Sequence, residues 1–170
     1  MIDPALWIAF VAASLAIGLV PGPGVAAITG YAIGSGSRTA FAAVAGLAIG
    51  NFTATAISLA GMGGVLAASP VAFAVLKWAG AAVLIAIGVR QIASARERAA
   101  AAPRITAPVS PRTALAASVG IGTFHPKTIV FMAAFAPQFV DPARAYPPQA
   151  AVLAATFAAT CAVTDRKSVV

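Results

Sequence analysis

Two ionisable side chains, His125 and Lys127, flank a proline in the middle of an otherwise uncharged segment, Thr113–Val140. At about 1.5 Å of helical rise per residue, each end of that segment is roughly 18 to 20 Å from the pair. Lys127 is therefore predicted near the centre of a hydrocarbon core about 30 Å thick, where a charge normally faces a cavity or a partner. This depth disfavours the alternative, in which Lys127 snorkels to an interface.

Lys127 would also lie in the first turn of a helix that starts at Pro126, where the helix dipole disfavours a cation. We expect a substrate carboxylate or a proton cycle to offset that cost. His125 is predicted to cap this helix or to pack against it, with proton transfer as the second role. Asn51 and Thr55 share one face of an earlier apolar segment, where they can bond a partner helix or a ligand amine.

A second cluster of helix-breaking residues, Pro21-Gly22-Pro23-Gly24, interrupts the uncharged segment Ala5–Ser37. In hydrocarbon such a break is tolerated where the freed backbone is buried in protein or lines a cavity. Pro23 suits the first position of a helix, so the residues from Gly24 onward would present free N–H groups to an anion. The alternative is a structural kink whose backbone is satisfied by neighbouring helices.

The two breaks occupy matching places in two halves of the chain. Without gaps, Val11–Ala32 aligns with Leu115–Ala136, and both share Ala-Ala-Ser, then Ile-Gly, then the proline-bearing break. Paired, interrupted hydrophobic segments indicate the binding site of a transporter. The predicted substrate-binding and transport residues are Pro21, Gly22, Pro23, Gly24, Asn51, His125, Pro126 and Lys127.

The composition is that of an all-α integral membrane protein, with 61% hydrophobic and 9% charged residues. Soluble domains carry about 25% charged residues. Five apolar segments can be placed, and the first and fourth are predicted to be broken helices. They run over about Ala5–Ile33, Thr39–Ala68, Val71–Val89, Thr113–Val140 and Pro148–Val163. Glycine pairs at four-residue spacing, namely Gly18/Gly22, Gly30/Gly34 and Gly46/Gly50, predict close helix packing.

One transmembrane domain, 1–164, is predicted to consist of a first half (1–92), a basic linker (93–112) and an incomplete second half (113–164). Three spans in each half would make an inverted 3+3 repeat of six helices, of which five are visible. Asp165 to Val170 follow the last apolar segment abruptly, and we expect 165–170 to be a non-native tail.

Basic residues concentrate in the loop 90–112, and positive loops stay cytoplasmic. The N-terminus is then predicted outside. The net charge of +7 is thus interpreted as a topology signal, with the lipid bilayer as partner and no nucleic acid. The sequence leaves a homo-oligomer open.

The remaining polar residues argue against several other classes of site. The single Cys161 excludes an intrachain disulfide and a cysteine-based metal cluster, and no cofactor is expected. No Asp or Glu is predicted deep in a segment, which opposes a carboxylate cation site. An intramembrane hydrolase using Ser35 or Ser37 with His125 is opposed because those serines fall in a predicted cytoplasmic loop.

Several stretches in the right order resemble the amino-acid exporter family of the lysine (LysE) and homoserine/threonine (RhtB) exporters. They are Pro21-Gly22-Pro23, the run Gly36–Gly46, Ser69-Pro70, Leu76–Gly80 and His125–Pro142. The resemblance implies an inner-membrane exporter of six spans in two inverted halves, driven by the proton gradient. This chain departs from the family in having His125 where Asn is usual and in lacking a sixth span.

The function predicted from these observations is export of amino acids or close derivatives by alternating access around the two breaks. The chain is not predicted to be an enzyme. The alternatives are efflux of another small solute or a cation, and a non-functional truncated form of such an exporter.

Overall fold

The computed structural model describes residues 2–19, 22–93, 108–141 and 143–166. Within these residues the chain is helical, with seven α-helices, one short 3-10 helix and no strand. The α-helices are α1 (Pro4–Gly18), α2 (Pro23–Ser35), α3 (Ser37–Ala68), α4 (Pro70–Ala93), α5 (Pro111–Thr123), α6 (Pro126–Ala134) and α7 (Tyr146–Arg166). The 3-10 helix, Ala136–Phe139, follows α6 directly.

The first apolar segment is broken where the proline-glycine cluster predicts. Asp3 caps α1, because its carboxylate accepts the backbone N–H groups of Ala5 and Leu6 at 2.8 and 3.3 Å. The helix ends at Gly18, and α2 begins at Pro23 at an angle of 59° to α1. Pro21 lies outside the described residues.

The fourth predicted segment is likewise divided into two half-helices. Ser110 caps α5 by accepting the N–H of Thr113 at 3.2 Å. Phe124 and His125 then separate α5 from α6, which begins at Pro126. A proline at the first helical position costs no hydrogen bond, so both second half-helices start as their sequence predicts.

Helices α3 and α5 make the most extensive contact in the fold, and glycines make it possible. A Cβ atom placed on Gly50 would lie 2.8 Å from the Cα of Gly122, and one on Gly122 would lie 2.7 Å from the Leu47 carbonyl oxygen. A Cβ on Gly46 would collide with the Leu115 carbonyl. The predicted packing role of Gly46 and Gly50 is therefore confirmed.

An aromatic cluster joins the two halves of the chain. Phe131 of α6 stacks on Phe10 of α1 and Phe157 of α7, with ring centroids 6.2 and 5.8 Å away. All three rings are almost fully buried. This cluster fixes α1, α6 and α7 around the region where the breaks lie.

Length and composition identify only some of the described helices as able to span a membrane. Among the described helices, α3 is long and apolar enough to span a membrane alone, over Ser37–Gly64, and α1 with α2 qualifies as one bent pair. A span needs about 20 residues, whereas α5 and α6 have 13 and 9 because the second break divides them. The predicted sixth helix and the inversion of the halves stay predictions.

Candidate functional site

The two helix breaks face one small cavity. Its volume is about 30 Å³, which is roughly the space that one water molecule takes in the liquid. Five of the residues predicted from the sequence line its wall, namely Gly22, Gly24, Asn51, His125 and Lys127. The structure thus brings together residues that are more than 100 positions apart in the chain.

Gly22 and His125 bring the two breaks close together. A Cβ atom on Gly22 would lie 3.1 Å from Cε1 and 3.2 Å from Nε2 of the His125 imidazole. His125 occupies the cap position of α6, but its side chain makes no capping hydrogen bond. Of the two roles predicted together for His125, capping and packing, the structure shows packing, because the imidazole turns toward Gly22.

Two helix N-termini open onto this cavity. Pro23 and Pro126 are the first residues of α2 and α6, and the amides that follow them have no partner inside their own helix. Gly24 and Val25 line the cavity from α2, and Thr128 lines it beside Lys127 from α6. Because a helix N-terminus carries about half a positive charge, the pair of ends favours an anion.

Lys127 has a partner that the sequence does not reveal. Its ammonium donates a hydrogen bond to the Ile17 carbonyl oxygen at 2.8 Å. Ile17 lies in the last turn of α1, where carbonyl groups are left over and the dipole attracts cations. The unfavourable interaction between the Lys127 charge and the N-terminus of α6 is thus offset within the protein by the C-terminal end of α1.

Asn51 fastens α3 to α6 at the edge of the cavity. Its side-chain oxygen accepts the Thr128 hydroxyl at 3.2 Å, and its backbone carbonyl accepts the Thr55 hydroxyl at 2.7 Å. Asn51 is only 4% exposed. The interhelical bond expected as one of its two roles is present.

Among the residues of the cavity wall that sequence reasoning missed, three carry a hydroxyl, thiol or carboxyl group: Thr128, Cys161 and Asp165. Cys161 and Asp165 stand four residues apart on α7, so they share a helix face. Asp165 lies close enough to Lys127 to interact with it electrostatically. The helix α7 continues through Asp165 to Arg166, so this acid lies at the end of the last helix and not deep within it. Extending the predicted last helix beyond Val163 would have included Asp165.

The structure separates the residues of the hydrolase alternative. Ser35 is the last residue of α2, about 18 Å along the helix from the end beside His125. Its hydroxyl accepts the backbone N–H of Val109 at 3.0 Å. Among the described residues, no three His, Cys, Asp or Glu side chains are grouped closely enough to hold a metal ion.

Comparison with known proteins finds one matching family and several relatives. The profile of the family described as "LysE type translocator" matches residues 15–164. An uncharacterized membrane protein of Vibrio cholerae is 32% identical over 155 residues, which are 91% of this chain and 74% of that protein. No solved structure matches the chain significantly.

Two relatives carry functional names. The homoserine/homoserine lactone efflux proteins of Salmonella typhi and Salmonella typhimurium are each 34% identical over 137 residues, which are 80% of this chain and 65% of theirs. The chain therefore spans less than two thirds of the length of those two proteins.

Proposed function

Because the chain belongs to the LysE type translocator family, we propose that it exports amino acids or close derivatives across a bacterial membrane. Membership of this family and the efflux relatives make it a transport protein rather than an enzyme. The observation that carries the proposal is the single cavity where both helix breaks, Asn51 and Lys127 meet. Homoserine and its lactone, which the Salmonella relatives are named for, are candidate substrates.

The substrate carboxylate is proposed to bind between the N-termini of α2 and α6. The two helix N-termini and the Lys127 ammonium together create a positive electrostatic potential at this place. The Asn51 side chain, which lines the same cavity, offers an oxygen to the substrate amine once Thr128 releases it. The present cavity of about 30 Å³ is too small for an amino acid, so substrate entry requires the half-helices to move apart.

That movement is proposed to be alternating access of two inverted halves. Gly18 and Gly122 are equivalent in the ungapped alignment of the halves, and each approaches a helix of the other half: Gly18 faces Thr164 of α7 and Gly122 faces Asn51 of α3. The equivalent hydroxyls of Ser14 and Ser118 are both buried and have no hydrogen-bond partner in the described part of the chain. Unpaired buried hydroxyls favour a second arrangement in which they find partners.

The proton gradient is proposed to drive export. Ionisable groups inside a membrane domain mark substrate or proton pathways, and the cavity wall contains His125 and Lys127. The proposed location is the inner membrane, with the N-terminus outside and the loop 90–112 cytoplasmic. The basic residues of that loop support this orientation.

Efflux of another small solute or a cation is the alternative. Lys127 in the cavity disfavours a cation by like-charge repulsion. A neutral or anionic solute therefore fits the cavity better than a cation does.

The proposal is tested by measuring amino-acid release from cells that express the chain and are loaded with a panel of dipeptides. Faster release than in empty-vector cells, abolished by a protonophore, is the expected result. Cells expressing the full-length Salmonella typhimurium relative serve as the positive control. Release by that control alone would contradict the proposal for this chain and favour the alternative of a non-functional truncated form.

A further inference from the structure

A second cavity, larger and apolar, lies between α1, α4 and α6. Its volume is about 340 Å³, within the range of about 300–1,000 Å³ that is usual for small-ligand pockets. Leu84, Ile87 and Gly88 of α4 form one wall, and Phe131 lies opposite on α6. The proposed function gives this cavity no role.

The apolar cavity adjoins the polar one. Ile17 and Lys127 line both of them, and the Lys127 ammonium bonds the Ile17 carbonyl, so the two spaces are neighbours at these residues. Among the described residues of the apolar wall, Lys127 is the one that carries a charge. A molecule with an anionic head and an apolar body therefore matches the two spaces together, with its head at Lys127.

The two cavities differ in volume, so they can hold different parts of an amino acid. About 30 Å³ beside the helix N-termini leaves no room for a side chain, whereas about 340 Å³ accommodates the largest amino-acid side chains. Aliphatic and aromatic walls favour apolar groups, and they leave a hydroxyl without a hydrogen-bond partner. A short hydroxylated side chain such as that of homoserine fits this wall poorly.

We infer that the apolar cavity between α1, α4 and α6 receives the side chain of the exported amino acid, so that the chain selects large aliphatic and aromatic amino acids. This inference rests on the proposed function, because it assumes that the carboxylate binds at Lys127. It assigns α4 a role in selectivity that the helix breaks do not predict.

Gly88 offers a direct way to fill the space. It lines the cavity, and a Cβ atom placed on it would meet no other atom within 4 Å. Gly88→Leu therefore projects a side chain into the cavity without displacing the backbone. Gly61→Leu is the matched control, since a Cβ on Gly61 of α3 also meets nothing within 4 Å and Gly61 lies outside this cavity.

The experiment measures the release of leucine, phenylalanine, alanine and homoserine from dipeptide-loaded cells expressing each variant. Wild type is expected to release leucine at least about tenfold faster than alanine, because one methylene in an apolar pocket already discriminates by about 10-fold or more. Gly88→Leu is expected to lower the leucine-to-alanine ratio at least about tenfold. Gly61→Leu is expected to keep the wild-type ratio.

Three results would overturn the inference while leaving the proposed function intact. They are a wild type that prefers alanine or homoserine, a Gly88→Leu ratio equal to that of wild type, and an equal loss for all four amino acids. A phospholipid that copurifies with wild type and not with Gly88→Leu, at unchanged selectivity, would assign the cavity to a lipid chain instead. Release of no amino acid by wild type would refute the proposed function and this inference with it.

Discussion

The close approach of α3 and α5 makes a quantitative prediction at Gly50. A Cβ atom at this position would collide with the Val119 carbonyl and lie 2.8 Å from both the Gly122 Cα and the Thr123 nitrogen. Real Cβ atoms do not come closer than 3.0 Å to such neighbours. Because backbone atoms of α5 form the obstacle, no side-chain rotation can relieve the collision, and the helices must separate.

Gly50→Ala is therefore expected to destabilise the protein. Overpacking of this kind costs about 1–3 kcal/mol, and the better helix propensity of alanine returns about 0.5–1 kcal/mol. The midpoints of these ranges leave a net loss of about 1 kcal/mol, which corresponds to a fall of roughly 2–4 °C in the melting temperature of a chain of this length. The separation also moves Asn51 away from Thr128, so amino-acid efflux is expected to fall.

Gly61→Ala on the same helix is the control. A Cβ at Gly61 meets no atom within 4 Å, so this variant gains the helix propensity of about 0.5–1 kcal/mol without a collision. Thermal unfolding of both purified variants in detergent, together with their efflux rates, makes the comparison. If Gly50→Ala has the same melting temperature as Gly61→Ala and keeps its efflux, the packing of α3 against α5 is refuted.

Three further substitutions test the site. Lys127→Ala is expected to abolish export while membrane insertion remains, because it removes the cation that faces the substrate; unchanged export in the efflux assay would remove Lys127 from the mechanism. Replacing Pro21–Gly24 with four alanines is expected to straighten the first broken helix and stop efflux, and retained efflux would return the break to a structural role. His125→Asn is expected to raise the stability by about 1 kcal/mol, since Asn caps helices well and His125 makes no capping bond; an unchanged melting temperature would contradict that reasoning.

The helix breaks could be predicted because their causes are local. Proline lacks a backbone N–H and fixes its own φ angle, so Pro23 and Pro126 start helices whatever surrounds them. The close helix packing at Gly46 and Gly50 could be predicted for a similar reason, since small residues at four-residue spacing permit close packing in any helix pair. Structure confirms both at the predicted positions.

The partners of Lys127 could not be predicted in the same way. Its hydrogen bond joins residues 110 positions apart and ends on the backbone carbonyl of Ile17, a group that every residue carries. Asp165 was missed because the charges after Thr164 were interpreted as a boundary of the apolar segment, whereas α7 includes Asp165 and ends at Arg166. The apolar cavity beside Gly88 is empty space between three helices, and no residue pattern marks it.

The central claim is that the carboxylate of an amino acid binds between the N-termini of α2 and α6 and Lys127. The most direct measurement is competition for a radiolabelled exported amino acid bound to the purified protein, using that unlabelled amino acid, its carboxamide and its N-acetyl derivative. The unlabelled amino acid and, more weakly, the N-acetyl derivative are expected to displace the label, whereas the carboxamide is not. Equal displacement by the carboxamide would show that no carboxylate is recognised and would contradict the claim.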